Sequence, residues 1–271
     1  MTPKPPTITI CIPHWQVKPL ISLCLRSIRK HSKNYDIEVV VVDNGSKDES
    51  LDYLRSMKWI YLIERPEETH TNWPSNIWTA WDLGIRQAAG DYFITMHSDV
   101  IVKRDDWLDP FLSRIATRDE VAGVGAWKLS LEPRIYSFQK HIWGSVRTYL
   151  KYLLGRKKPT TWGQGHYPRD YCAMYRRELI LAHDLTFSPI FKVGGGYSIA
   201  KQLWNLGYKT SMIPVSELSQ KIVHIAHGTA AIAPEKSLNR KGSQIRLERR
   251  LQQLLREPWV DALQKAQWLD L

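Results

Sequence analysis

Tyr92-Phe93-Ile94-Thr95-Met96-His97-Ser98-Asp99-Val100 is an apolar run that stops on a lone carboxylate. About fifty residues earlier a similar run, Ile37-Glu38-Val39-Val40-Val41-Val42, stops on Asp43-Asn44-Gly45-Ser46. The β-branched density of the earlier run fits a strand covered on both faces by helices. A carboxylate loses solvation if it is buried unpaired, so a buried strand that ends on Asp presents the acid at a sheet edge. In an open α/β sheet that edge is the ligand crevice. Asp-Asn-Gly-Ser is also a favourable loop opener, so one such end is equally turn chemistry. Two of them, followed by the paired His224 and His227, point to a site.

Outward from these runs the chain alternates strand and helix. Residues 8–12 read as a buried strand closed by Pro13, and 19–30 as an amphipathic helix carrying Leu20, Leu23, Leu25 and Ile28. After the 37–42 strand come a helix at 47–57, a short strand at 59–63, a helix at 75–88 and the 92–96 strand. The rhythm then loosens into a helix at 107–116, strands at 121–126 and 135–138, and an amphipathic helix at 141–154. A strand at 172–175 leads into a turn at Arg176-Arg177-Glu178, and Gly194-Gly195-Gly196 marks a turn or a close backbone approach. A helix at 197–206, a strand at 209–215 and a helical stretch at 246–255 complete the pattern. Alternation of this kind predicts an α/β fold with a mostly parallel central sheet flanked by helices. The expected division is one domain over residues 1–230, with a basic helical appendage at 231–271.

The apolar fraction of 43% and charged fraction of 24% exclude a disordered or fibrous chain. Cys11, Cys24 and Cys172 stand apart in apolar surroundings with no CxxC spacing, which argues against a disulfide framework or a thiolate metal site and suits a reducing compartment. The N-terminus lacks a signal-peptide apolar stretch and no run is long enough to span a bilayer, so a cytoplasmic location is expected. Thirty-eight basic against 27 acidic residues leave a net charge of +11. The excess is local: residues 140–177 hold nine Lys or Arg and one acid, and residues 236–256 hold seven and one. Such patches attract phosphate on a nucleotide, an anionic lipid or a nucleic acid, or are a simply solvated face. With no zinc-finger spacing and no RNP-like aromatic strand, no nucleic-acid partner is expected.

Together, residues 8–13 and Val39-Val40-Val41-Val42-Asp43-Asn44-Gly45-Ser46-Lys47-Asp48, with Met96-His97-Ser98-Asp99-Val100, resemble the family-2 glycosyltransferases of the GT-A fold. The likeness covers roughly residues 7–227 and implies transfer of a sugar from a nucleotide-diphosphate donor to an acceptor. It makes residues 7–125 the nucleotide-binding half and 126–230 the acceptor half. Through it Asp43 is expected at the nucleoside, with Pro13 and Asn76 framing the donor. His97, Ser98 and Asp99 correspond to the family's metal motif, with His97 standing where the family has an acid and Asp99 as the carboxylate ligand. The late segment Lys221-Ile222-Val223-His224-Ile225-Ala226-His227-Gly228 resembles the histidine segment that completes the metal or diphosphate site, and His227 is preferred to His224 as the nearer match. A divalent cation would neutralise the leaving diphosphate, Mn²⁺ being favoured over Mg²⁺ because imidazole joins the ligand set. Arg177, in the family's RRE turn, could reach the diphosphate or hold a neighbouring carboxylate.

One departure bears on mechanism. Where the family opens a helix with Glu-Asp, the Asp serving as general base, this chain has Gly195 and Gly196. Glycine accepts no proton, so another residue serves, the chemistry differs, or activity is lost. Asp170, His166 and Asp184 are the nearby ionisable residues, and Asp170 is chosen because it precedes the 172–175 strand toward the crevice. The expected function is therefore metal-dependent sugar transfer, inverting if the family mechanism holds, with a catalytically degenerate nucleotide-sugar or glycan-binding protein as the alternative. The basic, aromatic stretch at 140–169, including Trp162, His166 and Tyr167, suggests a glycan or lipid-linked saccharide acceptor and peripheral contact with an anionic membrane at its cytoplasmic face.

Overall fold

The computed structural model describes residues 7–68, 74–131, 143, 146, 149–150, 152–155, 165–190, 194–232 and 241–271. The first half runs β1 (Thr7–His14), α1 (Lys18–His31), β2 (Asp36–Asp43), α2 (Ser50–Ser56), β3 (Tyr61–Glu64), α3 (Ser75–Gln87) and β4 (Tyr92–Met96). There follow β5 (Val100–Val102), α4 (Asp109–Ile115), β6 (Val121–Ala126), β7 (Cys172–Arg176), α5 (Arg177–Ala182) and α6 (Gly195–Asn205). The chain ends with β8 (Lys209–Ile213), α7 (Val215–Lys221), β9 (Ile222–His224), α8 (Gly228–Ile232), α9 (Lys241–Leu255) and α10 (Pro258–Lys265).

A seven-stranded sheet in the order β3-β2-β1-β4-β7-β6-β8 forms the centre. Only β7 runs against the rest, antiparallel to β4 and β6 on either side of it. Period two divides the strand side chains between two cores. Ile8, Ile10, Ile12, Val39, Val41, Ile94 and Met96 face α1 and α4, against Ile21, Leu25, Trp107 and Phe111. Cys11, Val40, Val42 and Phe93 face α3 and α6, against Trp81, Ile85, Ile199 and Leu203. Burial of each such side chain contributes about 1.5–3 kcal/mol, and it explains why these strands read as continuous apolar runs rather than alternating ones.

The chain proceeds from β1 outward to β2 and β3, then returns to place β4 on the other side of β1. Strand order therefore reverses at β1/β4, the place where open α/β sheets bind ligands beyond the carboxyl ends of their strands. Register aligns Asp43 with His14 at that edge, and Asp99 follows three residues after the end of β4.

Three local features sharpen or add to the sequence expectation. Gly195 and Gly196 lie within the first turn of α6, and of the turn or close backbone approach expected there the structure has the close approach. The Arg176-Arg177-Glu178 stretch is a direct strand-to-helix junction, β7 ending at Arg176 and α5 starting at Arg177. A small antiparallel sheet joins β5 to β9, aligning Val100 with His224, and its three-residue strands carry no periodic signal. The strand expected at 135–138 lies outside the described residues, as do Trp162 and half of the helix expected at 141–154. Within that stretch Trp143, Leu150, Leu153 and Leu154 are exposed.

The C-terminal helices share a core with the front of the molecule. Leu251, Leu254, Val260, Leu263 and Leu269 cluster with Val17, Leu20, Leu23, Ile101 and Ile225. Arg26 of α1 fixes this packing with a two-pronged ion pair to Asp270, at 2.8 and 2.6 Å, and Tyr53 donates to the same carboxylate at 2.9 Å. Among the described residues no helix is long and apolar enough to cross a membrane.

Candidate functional site

The loop after β2 is built around Asp43. Its Oδ2 accepts the N–H groups of Gly45 at 3.1 Å and Ser46 at 2.9 Å, and its Oδ1 accepts the Ser46 hydroxyl. Gly45 takes φ +75°, which lets the chain curl back over the carboxylate. Ser46 Oγ in turn accepts the Gln16 N–H at 2.7 Å, and Asp48 accepts the Val17 N–H at 2.8 Å. These bonds hold Gln16 and Val17 in left-handed backbone, at φ 51° and 68°, a conformation costing a side-chain-bearing residue about 1–2 kcal/mol. Arg65 reaches across from beyond β3 to the Asn44 side-chain oxygen at 2.6 Å and the Asn76 carbonyl at 3.4 Å. Pro13, Asp43, Asn44 and buried Asn76 thus border one end of the crevice.

The other acid is arranged differently. Asp99 Oδ2 accepts the Gly228 N–H at 2.9 Å, while its buried Oδ1 has no hydrogen-bond partner. His224 Nε2 stands 3.4 Å from that oxygen and His97 Nδ1 stands 4.0 Å from it. His97, Asp99 and His224 each present a ligand atom within 4.8 Å of the others. His224 Nδ1 lies 2.8 Å from the Leu129 carbonyl, and since a carbonyl only accepts, that nitrogen carries the proton. A neutral ring therefore turns the lone pair of Nε2 toward Asp99. Stacking fixes both rings: His224 lies on Tyr171 at 4.4 Å and 7°, and His97 on Trp81 at 5.8 Å and 14°.

The electrostatics favour ligand-ready protonation states. Burial pulls His97 below the ordinary imidazole value, against the nearby acids Asp170 and Asp99, and so favours the neutral ring. Burial works against an ionised Asp99, but a proton carried on His224 or His97, together with the Gly228 N–H, outweighs it and holds the carboxyl well below the usual carboxylate range. An anionic oxygen facing an imidazole lone pair in a buried site is unfavourable unless a cation or a proton lies between them. Asp99 Oδ1 and His224 Nε2 are buried without a hydrogen-bond partner among the described residues, and His97 offers a ring nitrogen within 4.8 Å of both, so a divalent cation fits this donor set and would satisfy groups the fold leaves unpaired.

The remaining residues singled out from sequence divide clearly. His227 is exposed, in left-handed backbone just before α8, and its charge is felt by His97. Ser98 lies half-buried between the two motif residues. Asp170 is brought to the crevice, since the Tyr171 carbonyl accepts the His97 N–H at 3.0 Å and Asp170 is the leading charged influence on His97. Its carboxylate has no hydrogen-bond or ion-pair partner among the described residues. Arg177 is not brought there. Antiparallel register pairs Arg176 with Tyr92, so Arg177 sits at the opposite edge of the sheet and donates to the Ile85 carbonyl at 3.4 Å.

Gly196 explains the neighbourhood of Asp170. A Cβ at this position would stand 3.1 Å from the Pro168 carbonyl and 3.5 Å from Asp170 Cβ, and one at Gly195 would stand 2.5 Å from the Trp78 ring. The bare start of α6 admits the 168–170 segment to space that side chains would otherwise occupy. Sequence reading also missed Leu129, Gly228, Trp81 and Tyr171, which orient the metal-type cluster. Only Gly228, next to His227, carried a local signal.

A family model described as glycosyl transferase family 2 matches residues 9–182. Among curated proteins, a chondroitin synthase from Escherichia coli is 25% identical over 146 residues, 54% of this chain and 19% of that protein. Among solved structures, a mannosyltransferase from Pyrobaculum calidifontis in complex with GDP-Man and Mn²⁺ is similar with a TM-score of 0.55 and 20% identity, over 78% of this chain and 56% of that one. TarS of S. aureus, residues 1–349, is similar with a TM-score of 0.53 and 14% identity, over 92% of this chain and 70% of that one. The chain thus spans about a fifth of the chondroitin synthase and just over half of the mannosyltransferase.

Proposed function

The chain belongs to glycosyl transferase family 2, and on that premise we propose that it transfers a sugar, with inversion, from a nucleotide-diphosphate donor to a saccharide or lipid-linked saccharide acceptor. The observation that carries this reading is the convergence of His97, Asp99 and His224 at the strand-order switch point, each with a ligand atom within 4.8 Å of the others and with Asp99 Oδ1 and His224 Nε2 buried and unpartnered among the described residues. Asp99, His224 and His97 would hold a divalent cation, Mn²⁺ ahead of Mg²⁺ because two of the three donors are imidazoles. When bound, such a cation offsets the charge that builds on the departing diphosphate.

The chain's own residues do the rest. The Asp43 loop, with Pro13 and Asn76 beside it, receives the nucleoside; Oδ1 takes a single hydrogen bond and keeps a lone pair for a base imide or ribose hydroxyl. Asp170 serves as general base. It takes the proton of the acceptor hydroxyl as that oxygen bonds to the anomeric carbon and the bond from carbon to the diphosphate oxygen breaks. Support for Asp170 is its unengaged carboxylate beside His97, in the space left by Gly196. The exposed Trp143, Leu150, Leu153 and Leu154, in a stretch rich in Lys and Arg, support a lipid-linked acceptor met at the cytoplasmic face of an anionic membrane.

Calorimetry with a panel of nucleotide sugars, with and without Mn²⁺, tests the donor. Failure of every nucleotide sugar and nucleotide diphosphate to bind the folded chain would reject the reading. Asp170→Asn should keep donor affinity and lose turnover. Gly195 and Gly196, which leave α6 without an acid, favour a second reading, a nucleotide-sugar-binding protein without turnover, and donor binding with no product across broad acceptor screens would select it.

A further inference from the structure

One cation at the crevice is held in place but paired with no anion among the described residues. Arg169, immediately before Asp170, has its guanidinium over the Trp127 ring at 4.4 Å and over the Tyr167 ring at 4.8 Å from their centroids. Its Nε is buried without a hydrogen-bond partner, and no carboxylate among the described residues pairs with it. Arginine side chains elsewhere in the molecule show the contrast: Arg26 takes Asp270, Arg55 takes Glu64 and Arg114 takes Glu217. Aromatic faces fix a guanidinium plane while leaving its N–H edge open, the geometry that meets a phosphate with two parallel bonds.

Position ties this cation to the site. Trp127 begins the segment whose Leu129 carbonyl orients His224, and its own carbonyl accepts the Tyr171 hydroxyl at 2.9 Å. Tyr171 is the ring on which His224 lies. The first turn of α6, which no side chain caps, packs against the same 168–170 segment. Arg169 is therefore one residue from Asp170 and one layer of side chains from the metal-type cluster.

We infer that Arg169, clamped by Trp127 and Tyr167, binds a phosphate group of the acceptor and so sets its hydroxyl beside Asp170. This deepens the transfer reading and rests on it, because it makes the acceptor a phosphate-bearing alcohol rather than a neutral sugar. The alternative source of the same chemistry is the diphosphate of the donor, which the Asp99 cluster would hold through its cation.

Inorganic phosphate is the probe, titrated calorimetrically into the full chain first in EDTA and then with saturating Mn²⁺ and pyrophosphate. Phosphate is expected to bind in both conditions. Arg169→Gln should weaken it by about tenfold or more, the loss of a charge-assisted bidentate contact, whereas Asp99→Asn leaves it unchanged. Arg169→Lys keeps the charge without the planar fork and should fall between them, which separates loss of the contact from loss of the fold; thermal midpoints confirm that each variant is folded. Absence of phosphate binding in EDTA, or equal affinity in folded Arg169→Gln, would overturn the proposal. Displacement of phosphate by Mn²⁺-pyrophosphate would assign Arg169 to the donor instead and overturn it as well. Mn²⁺ binding lost in Asp99→Asn is read separately in the same titrations, so failure of the metal reading is distinguishable from failure of the Arg169 site.

Discussion

Asp43 and Asp99 stand at the same edge of one sheet, each closing a run of buried apolar residues, and each is almost wholly buried. Asp43 is held mainly by its own loop, accepting three hydrogen bonds from residues two and three positions away and keeping only one lone pair of Oδ1 unused by them. Asp99 accepts one side-chain bond, from a residue 129 positions away, and leaves an oxygen unpaired against two imidazoles. Equal position and burial therefore do not mean equal role. A satisfied carboxylate shapes the backbone around it, whereas an unsatisfied one next to other unsatisfied ligand atoms is poised for a cation.

The sharpest test of this contrast is the pair of Asp→Asn and Asp→Ala variants. Asp99→Asn should weaken Mn²⁺ binding by more than about 100-fold, since removing even an outer-shell partner of a metal ligand costs 10–100-fold. The metal-free chain should lose less stability than in Asp43→Ala, because the Gly228 N–H keeps an acceptor and only the carboxylate's attraction to a protonated imidazole is lost. Isothermal titration and urea unfolding measure the two halves, and a large loss of stability without loss of metal would erase the distinction. Asp43→Ala should do the reverse, costing about 2–4 kcal/mol by stranding three donors while Mn²⁺ affinity holds. Ser46→Ala removes the hydroxyl that bridges Asp43 to the Gln16 N–H and should cost about 1 kcal/mol in the same assay.

The smallest effect is in the pH dependence of the metal-free chain. His97 titrates below the ordinary imidazole value in the folded state, chiefly through burial. Below about pH 6.5 the unfolded chain therefore takes up a proton that the folded chain refuses, and stability falls as pH drops from there toward the folded value. His97→Asn should flatten the fall in thermal midpoint between pH 7 and pH 5. An unchanged slope would remove His97 as its source.

Much of the fold was legible because period and composition are local. Val39 to Val42 and Tyr92 to Met96 read as covered strands since both of their faces are apolar, and both faces are indeed covered. The β5–β9 pair was not legible, because three-residue strands have no period and their partners lie far apart in sequence. Its absence from the sequence reading matters for the site, since that pairing aligns Val100 with His224 and brings His224 beside Asp99. Sequence placed His227 ahead of His224; the ligand-distance cluster contains His224, while His227 is exposed one step before α8. Arg177 shows the same limit from the other direction, because an arginine at a strand end says nothing about which end of the sheet that strand delivers it to.

Sequence by itself determined that this chain folds as alternating strands and helices, and that acids emerge from two of the buried strands, because a strand's neighbours declare what each face must bury. It also determined that the start of α6 carries no acid. Only the tertiary structure decided which carboxylate is free to act. Leu129 orients His224 from 95 residues away, Gly228 holds Asp99 from 129, and the space at Gly196 admits Asp170 from another segment. Hydrogen-bond satisfaction is a property of whatever the fold brings within about 3 Å, and no local pattern records it.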